Sequence, residues 1–345
     1  MAQEKNVLSG SGKLGLYAIA ALGLLAAARK IYRNVTRYDF ENKVVIITGG
    51  ARGLGLILAR QLAAKGANLV ICSRDSEQLD QAEQELTASG AKILALAADV
   101  SEQQDAQRIV EATIGAFGKI DVLINNAGTM VVGPQEAMEI EDYKEAMDIN
   151  LWGGLYMIKA ALPYLKQAEG RIANICSIGG KISVPHLLPY SVSKFAMVGL
   201  SEGLHAELKR DNVIVTTVIP NLMQTGSPRN IFVKGNHEAE YAWFKTMASS
   251  PLFSQKAEQS AKEIIEAIEH GENEVVLTLT AKLVVALQGA NPGLVSALSA
   301  AANSFMPQMT TDGFKTKKGY ESESEISESD INYRTEVASV ANNEI

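Results

Sequence analysis

Tyr190 and Lys194 stand four residues apart in Tyr190-Ser191-Val192-Ser193-Lys194. On a helix, positions i and i+4 share a face, so this spacing sets an ammonium beside a phenol. A free phenol titrates near about 10, too high for useful proton exchange close to neutrality. A neighbouring cation favours the phenolate and lowers that value, which would fit Tyr190 for general acid–base work. Alone the pair carries little, because the same spacing occurs on ordinary solvated helix faces. Its weight comes from the residues upstream.

The first of these is the run Lys43–Thr48, short and β-branched, which reads as a buried parallel strand. It leads into Gly49-Gly50-Ala51-Arg52-Gly53-Leu54-Gly55 and then a helix of leucine, isoleucine and alanine. Gly49, Gly53 and Gly55 allow a tight turn, close approach to a phosphate and close packing of helix on sheet. Backbone N–H groups at that helix start, with its positive dipole end, suit a pyrophosphate. The spacing is Gly-x-x-x-Gly-x-Gly rather than the commoner Gly-x-Gly-x-x-Gly.

Further along, Asp99-Val100 follows an apolar run, and Asn125-Asn126-Ala127-Gly128 follows Ile120–Ile124. Asn150 falls in a helical segment, and Ser177 ends the strand-like Arg171–Cys176. With Thr48-Gly49-x-x-x-Gly53-x-Gly55 and Tyr190-x-x-x-Lys194, this ordered set resembles the short-chain dehydrogenase/reductase family over about Asn42 to Thr280.

The resemblance implies hydride transfer between a nicotinamide dinucleotide and a carbonyl or alcohol carbon. Tyr190 would give or take the proton, and Ser177 would bond the substrate oxygen. Lys194 would lower the Tyr190 pKa and hold the nicotinamide ribose. Asn150 would hold a water leading from Lys194 to solvent. The implied cofactor residues are Thr48, Gly49, Arg52, Gly53, Leu54, Gly55, Ser73, Arg74, Asp99, Val100, Asn125, Ala127, Gly128, Tyr190, Lys194, Pro220 and Thr225. Asp99 corresponds to the residue that binds the adenine amino group, and Asn125 to one packed beside the adenosine. The chain departs from the family's frequent Pro-Gly with Pro220-Asn221. Asparagine tolerates left-handed backbone, so that turn can survive.

Cofactor choice is written at the end of the second strand, Ile71-Cys72-Ser73-Arg74-Asp75. Family members that prefer NAD often carry an acid at the place of Ser73, which binds both ribose hydroxyls. Here Arg74 is adjacent and Arg52 lies in the glycine turn, and two guanidiniums suit a 2′-phosphate. The expectation is an NADP(H)-dependent oxidoreductase, with NAD(H) as the alternative cofactor. Two competing functions are an NAD-linked alcohol dehydrogenase and a non-catalytic NADP(H)-binding sensor or scaffold. No metal site is expected.

Strand-like segments Lys43–Thr48, Asn68–Ser73, Lys92–Ala97, Asp121–Asn125, Arg171–Cys176, Val213–Ile219 and Glu274–Leu279 alternate with helix-like ones. This rhythm predicts an α/β fold, a doubly wound, Rossmann-type parallel sheet in a single domain over residues 41–280. Gly66 reads as a helix C-cap and Ser101-Glu102-Gln103-Gln104 as a capping box. Asn221–Gln255 breaks the rhythm with Met223, Phe232, Tyr241, Trp243, Phe244 and Met247. It reads as a substrate lid whose content suggests an apolar carbonyl or alcohol; ordinary core packing is the other reading. Residues 281–318 form a helical extension that could touch membrane, make a dimer contact or cover the core. The acidic, serine-rich stretch 319–345 holds too few apolar residues for a core and is expected to be a disordered tail.

Within residues 1–40, Leu14–Ala28 is an uncharged run bracketed by Lys13 and by Arg29-Lys30. It is short for a full span, which needs about 20 residues. A signal-anchor, a cleaved signal peptide and a helix lying on membrane or protein are the readings it allows. The excess of basic residues after the run keeps the following domain cytoplasmic, so the expectation is the cytoplasmic face of a membrane, otherwise the cytoplasm. A net charge of −7 without a basic stripe speaks against nucleic acid as partner. Two cysteines, Cys72 and Cys176, give no disulfide framework. The partners expected are a small apolar substrate and, from the resemblance, further copies of the chain.

Overall fold

Buried on both faces, the central strands must be short, apolar and β-branched, and Val44-Val45-Ile46-Ile47 has no exposed member. The computed structural model describes Tyr17, residues 37–329 and residues 332–345. Apart from Tyr17, the apolar run Leu14–Ala28 lies outside the described residues. Among those described, no helix is long and apolar enough to cross a membrane.

The main sheet comprises β1 (Val44–Thr48), β2 (Asn68–Ser73), β3 (Ile93–Ala97), β4 (Val122–Asn125), β5 (Arg171–Ile175), β6 (Ile214–Ile219) and β7 (Glu274–Val276). Their order is β7-β6-β5-β4-β1-β2-β3, and every pairing is parallel. The chain runs outward from β1 to β3, then crosses back to β4 on the other side. Such a reversal opens a crevice at the carboxyl ends of β1 and β4.

Helices α1 (Gly53–Ala63), α2 (Ser76–Ala88), α3 (Gln103–Phe117), α4 (Ile140–Met147), α5 (Gly153–Gln167) and α6 (Leu188–Leu208) make the crossovers. Period-two alternation sends Val44 and Ile46 to one face, where they join Val70, Leu123, Ile172 and Val215. Ile109 and Val110 of α3 and Met157 and Ala161 of α5 close that layer. After β6 come α7 (Ser227–Asn230), α8 (His237–Ser249) and α9 (Ala257–His270), and α9 packs against α1.

All seven expected strands form, with two local differences. The last strand stops at Val276 rather than Leu279 because Thr278 turns to a φ of 67°. Its hydroxyl accepts from the Ala281 N–H and starts helix α10 (Leu279–Ala290). Ser101 does not cap α3; it donates its N–H and O–H to Asp99 at 3.0 and 2.7 Å.

In the expected lid, Leu222–Gln224 pairs with Ser254–Lys256, and Phe232–Val233 lies between Val131–Val132 and Lys317–Lys318. Tyr241 and Phe244 are buried with Val132, Leu187, Ile231 and Val233, so these two aromatics pack a core of their own. Helices α10 and α11 (Pro292–Asn303) bury Ala281 and Val295 and expose Leu279, Leu283, Leu294 and Leu298.

The acidic stretch, expected to be disordered, is folded against the body throughout its described part. A 3₁₀ turn spans Gly319–Ser322, and helix α12 spans Tyr333–Ala341. Composition counts apolar residues, but this stretch docks through charge. Glu323 lies 3.1 Å from Arg229, Glu336 lies 3.7 Å from it, and Glu336 also pairs with the buried Lys245.

Candidate active site and dinucleotide crevice

The turn between β1 and α1 forms one wall of the crevice. Gly49 and Gly53 adopt φ of 63° and 53°, a left-handed region where side chains are strained. A Cβ on Gly55 would fall 2.1 Å from the Gly49 carbonyl oxygen, so only glycine lets the helix sit this close. The Thr48 hydroxyl accepts the N–H groups of Asn126 and Ala127, both at 3.0 Å. In return the Asn126 amide donates to the Thr48 and Gly49 carbonyls at 3.0 and 3.1 Å. Asn126 was not among the expected site residues, although it stands inside the Asn-Asn-Ala-Gly motif. It is the residue that ties β4 to the turn.

Its neighbour Asn125 does something different from the expectation. The Asn125 amide donates to Asn174 at 2.9 Å, inside the sheet, rather than to the turn. The reason is parity: along a strand successive side chains point to opposite faces, so Asn125 and Asn126 cannot both serve the turn. Val100 is likewise buried, with its carbonyl against Gly153. Leu54 is buried at the start of α1.

At the other end, four expected residues converge. Asn150 sits in a π-type turn over Asp148–Trp152, where the Gly153 N–H reaches back five residues to Asp148. Its amide donates to the Thr129 carbonyl at 3.0 Å and the Ser193 hydroxyl at 2.9 Å, while its carbonyl accepts the Thr129 N–H at 2.9 Å. Lys194 is buried, donates to the Ile175 carbonyl at 2.9 Å, and lies 5.7 Å from the Tyr190 ring centroid. A Cβ on Gly128 would meet Asn150 Oδ1 at 2.9 Å and Lys194 Nζ at 3.6 Å, so Gly128 leaves room for both. Thr48, Asn125, Asn150 and Ile175 also border a cavity of about 10 Å³. That is room for one water.

Ser177 follows β5 and accepts the Gly179 N–H at 3.0 Å; a Cβ on Gly179 would meet Ser177 Oγ at 3.4 Å and the Tyr190 ring at 3.2 Å, so the two side chains share one corner. Burial pushes the Tyr190 phenol up to about 12, with the Ser177 hydrogen bond pulling the other way. The expected lowering by Lys194 is not what dominates. Burial also lowers Lys194, because desolvation penalises the charged form of each group. A phenol held protonated suits a proton donor.

At the expected adenosine side, Arg74 donates to Asp99 at 3.4 Å, with Ser73 ending β2. Burial works to raise the Asp99 carboxyl, but hydrogen bonds from Ser101 and the charge of Arg74 outweigh it, leaving it below its usual value. Arg52 donates to Asn230 at 2.6 Å. Lys318, another residue sequence reasoning missed, lies 3.6 Å above the Phe232 ring. Burial, then the charges of Arg52 and Arg74, lower its pKa, so the three cations feel one another. No local pattern around Lys318 signals this, because strand pairing brings it in from 86 residues beyond Phe232. A cavity of about 350 Å³ bordered by Arg74, Ser101, Lys144 and Glu145 lies alongside.

After β6, the Pro220 carbonyl accepts the Ile178 N–H at 2.8 Å, and Thr225 bonds Ser227 at 2.9 Å. Both cysteines are buried and free.

A doubly wound parallel sheet, a glycine cradle at its switch point and a Ser–Tyr–Lys corner together define a dinucleotide-dependent oxidoreductase class. Residues 43–234 match the family described as short chain dehydrogenase, and the chain belongs to it. It is 33% identical over 239 residues to 11-beta-hydroxysteroid dehydrogenase A of Sesamum indicum, covering 69% of this chain and 68% of that protein. It is 32% identical over 249 residues to the putative oxidoreductase SadH of Mycobacterium tuberculosis, covering 71% and 90%. In fold it is similar to a short chain dehydrogenase/reductase of Burkholderia phymatum solved with NAD. That likeness has a TM-score of 0.67 at 24% identity, over 74% of this chain and 96% of that one.

Proposed function

We propose that this chain is an NADP(H)-dependent oxidoreductase that interconverts an apolar carbonyl compound and its alcohol. Residues 41–280 act as the catalytic domain, and part of 221–255 covers the substrate. The observation that carries this reading is the convergence of Tyr190 and Ser177, both within 3.4 Å of one point above Gly179, beside the buried Lys194. The glycine cradle fits the diphosphate of such a cofactor, and the cofactor supplies the hydride. Tyr190 donates its proton to the substrate oxygen during reduction and recovers it through Lys194 and Asn150. Ser177 shares its hydroxyl with the same oxygen and stabilises the charge that builds there.

Two features support NADP(H) over NAD(H). Ser73 ends β2 without a carboxylate, and the adjacent Arg74 feels the charges of Arg52 and Lys318. A 2′-phosphate would relieve the repulsion among those cations. The half-buried Met130, Val184, Leu222 and Trp243 support an apolar substrate. The name of the sesame relative, a hydroxysteroid dehydrogenase, agrees with a bulky apolar alcohol.

The test is Tyr190→Phe in a screen of NADPH oxidation against carbonyl compounds. Loss of the positioned acid should lower turnover by about 10²–10⁴-fold while leaving NADPH affinity intact. Undiminished turnover would remove Tyr190 from the reaction.

A further inference from the structure

Residues 342–344 lie inside the crevice, between its two walls. The Gly53 N–H, in the middle of the glycine cradle, donates to the Asn342 carbonyl at 2.9 Å. Glu344 reaches further: one carboxylate oxygen accepts the Gly226 N–H at 2.6 Å, and the other the Ser227 hydroxyl at 3.2 Å. A Cβ on Gly53 would lie 3.0 Å from the same carboxylate. The carboxylate therefore bridges the β1–α1 turn and the segment after β6. Asn343 fastens this turn by donating to the Ala51 and Gln78 carbonyls at 3.0 and 2.8 Å.

A carboxylate that takes one backbone N–H and one hydroxyl while lying against a glycine turn occupies a place that suits a bound phosphate. Arg52 is the cation facing it. Glu344 is only 3% exposed, and that burial raises its carboxyl to about 7, so the docked position is not a comfortable one for a charge.

Helix α12, which carries these residues, is inverted. It buries Thr335 and Ser339 and exposes Tyr333, Val337 and Val340. Little hydrophobic stabilisation holds it down, since apolar burial contributes roughly 25 cal/mol per Å² and its apolar side chains face outward. Its ion pair from Glu336 to Arg229 is partly exposed, and such pairs contribute about 0–1 kcal/mol; Glu336, itself 41% exposed, also reaches the buried Lys245. A segment held this way can be displaced by a ligand that makes the same contacts better.

We infer that residues 342–344 are a built-in competitor of the dinucleotide, with the Glu344 carboxylate standing in for a cofactor phosphate. The inference rests on the dinucleotide reading of the crevice given above. NADP(H) and docked α12 exclude each other, so the docked fraction raises the apparent Kd of the full chain. Cofactor binding releases α12 and frees its apolar stripe.

The experiment compares NADPH affinity by calorimetry in the full chain, in Glu344→Ala and in Ser339→Tyr. Ser339 packs so tightly on Gly226 that a Cβ there would lie 2.5 Å from its hydroxyl, which leaves no space for a tyrosine ring. Both variants should bind NADPH about tenfold more tightly than the unaltered chain. Saturating NADPH should also speed tryptic cleavage at Arg334 in the unaltered chain. Equal Kd in all three proteins, or a cleavage rate at Arg334 indifferent to NADPH, would overturn the inference while leaving the crevice reading standing. Failure of all three to bind either dinucleotide would overturn the crevice reading and the inference together.

Discussion

At the proposed catalytic corner, Asn150, Ser177 and Lys194 take their hydrogen bonds from β5 and the turn after it, from α6 and from the loop after β4. These are elements of the parallel sheet and its crossovers, brought together by strand order alone. The glycine cradle at the other end of the crevice is as tightly built on its own side, through Thr48 and Asn126. Its open side, however, is closed by residues nearly 300 positions away, through Gly53, Gly226 and Ser227. One end is preorganised by the fold and the other is gated by a segment outside it. A short-chain dehydrogenase scaffold can thus keep its chemistry fixed while its access to cofactor is adjusted separately.

The largest effect should come from the fixed end. Lys194→Ala removes the ammonium that bonds the Ile175 carbonyl beside Asn150, and should cut turnover by at least about 100-fold. It should also weaken dinucleotide binding, which distinguishes it from Tyr190→Phe in a side-by-side measurement of kcat and Kd. Retained turnover would show that the corner is not preorganised around this amine.

An intermediate effect is expected at the cationic cluster. Lys318→Ala should raise the Kd for NADPH by about tenfold and leave that for NADH nearly unchanged, in line with loss of one charge-assisted contact. Equal effects on the two cofactors would place Lys318 among the contacts that hold the distal segment rather than the 2′-phosphate.

The smallest effect is a pH dependence at the gated end. The Glu344 carboxyl sits at about 7 when docked, above its ordinary 4.5. A raised acid binds a proton on docking, so docking is strongest below 4.5 and loses stability as pH rises toward 7. Apparent NADPH affinity should therefore improve between about pH 5 and 7, by up to roughly tenfold. The same titration on Glu344→Gln removes this component and leaves that of the cofactor phosphate, whose own pKa is about 6. Identical profiles would mean that Glu344 keeps its charge in the crevice.

Much of this was legible before any coordinates. The seven strands, the glycine turn and the quartet Asn150, Ser177, Tyr190 and Lys194 follow from period-two burial and from motifs whose spacing is set by strand–turn–helix geometry. Those signals are local, because a strand end and the helix after it are neighbours in sequence as well as in space. Asn125 and Asn126 mark the edge of that legibility: the motif names both, and only the pleat of β4 decides which one ties the turn.

What tertiary structure alone decided is long-range and polar. Lys318 joins Arg52 and Arg74 through a strand pairing that no periodicity announces. The tail's composition argued for disorder, because hydrophobic content measures only one way of docking. Glu323 and Glu336 found Arg229 and Lys245, and Glu344 found the Gly226 N–H and the Ser227 hydroxyl. Hydrogen bonds and ion pairs depend on partners that converge only after the sheet has formed. A sequence read from one residue to the next carries the strands that make the crevice, but not the carboxylate that fills it.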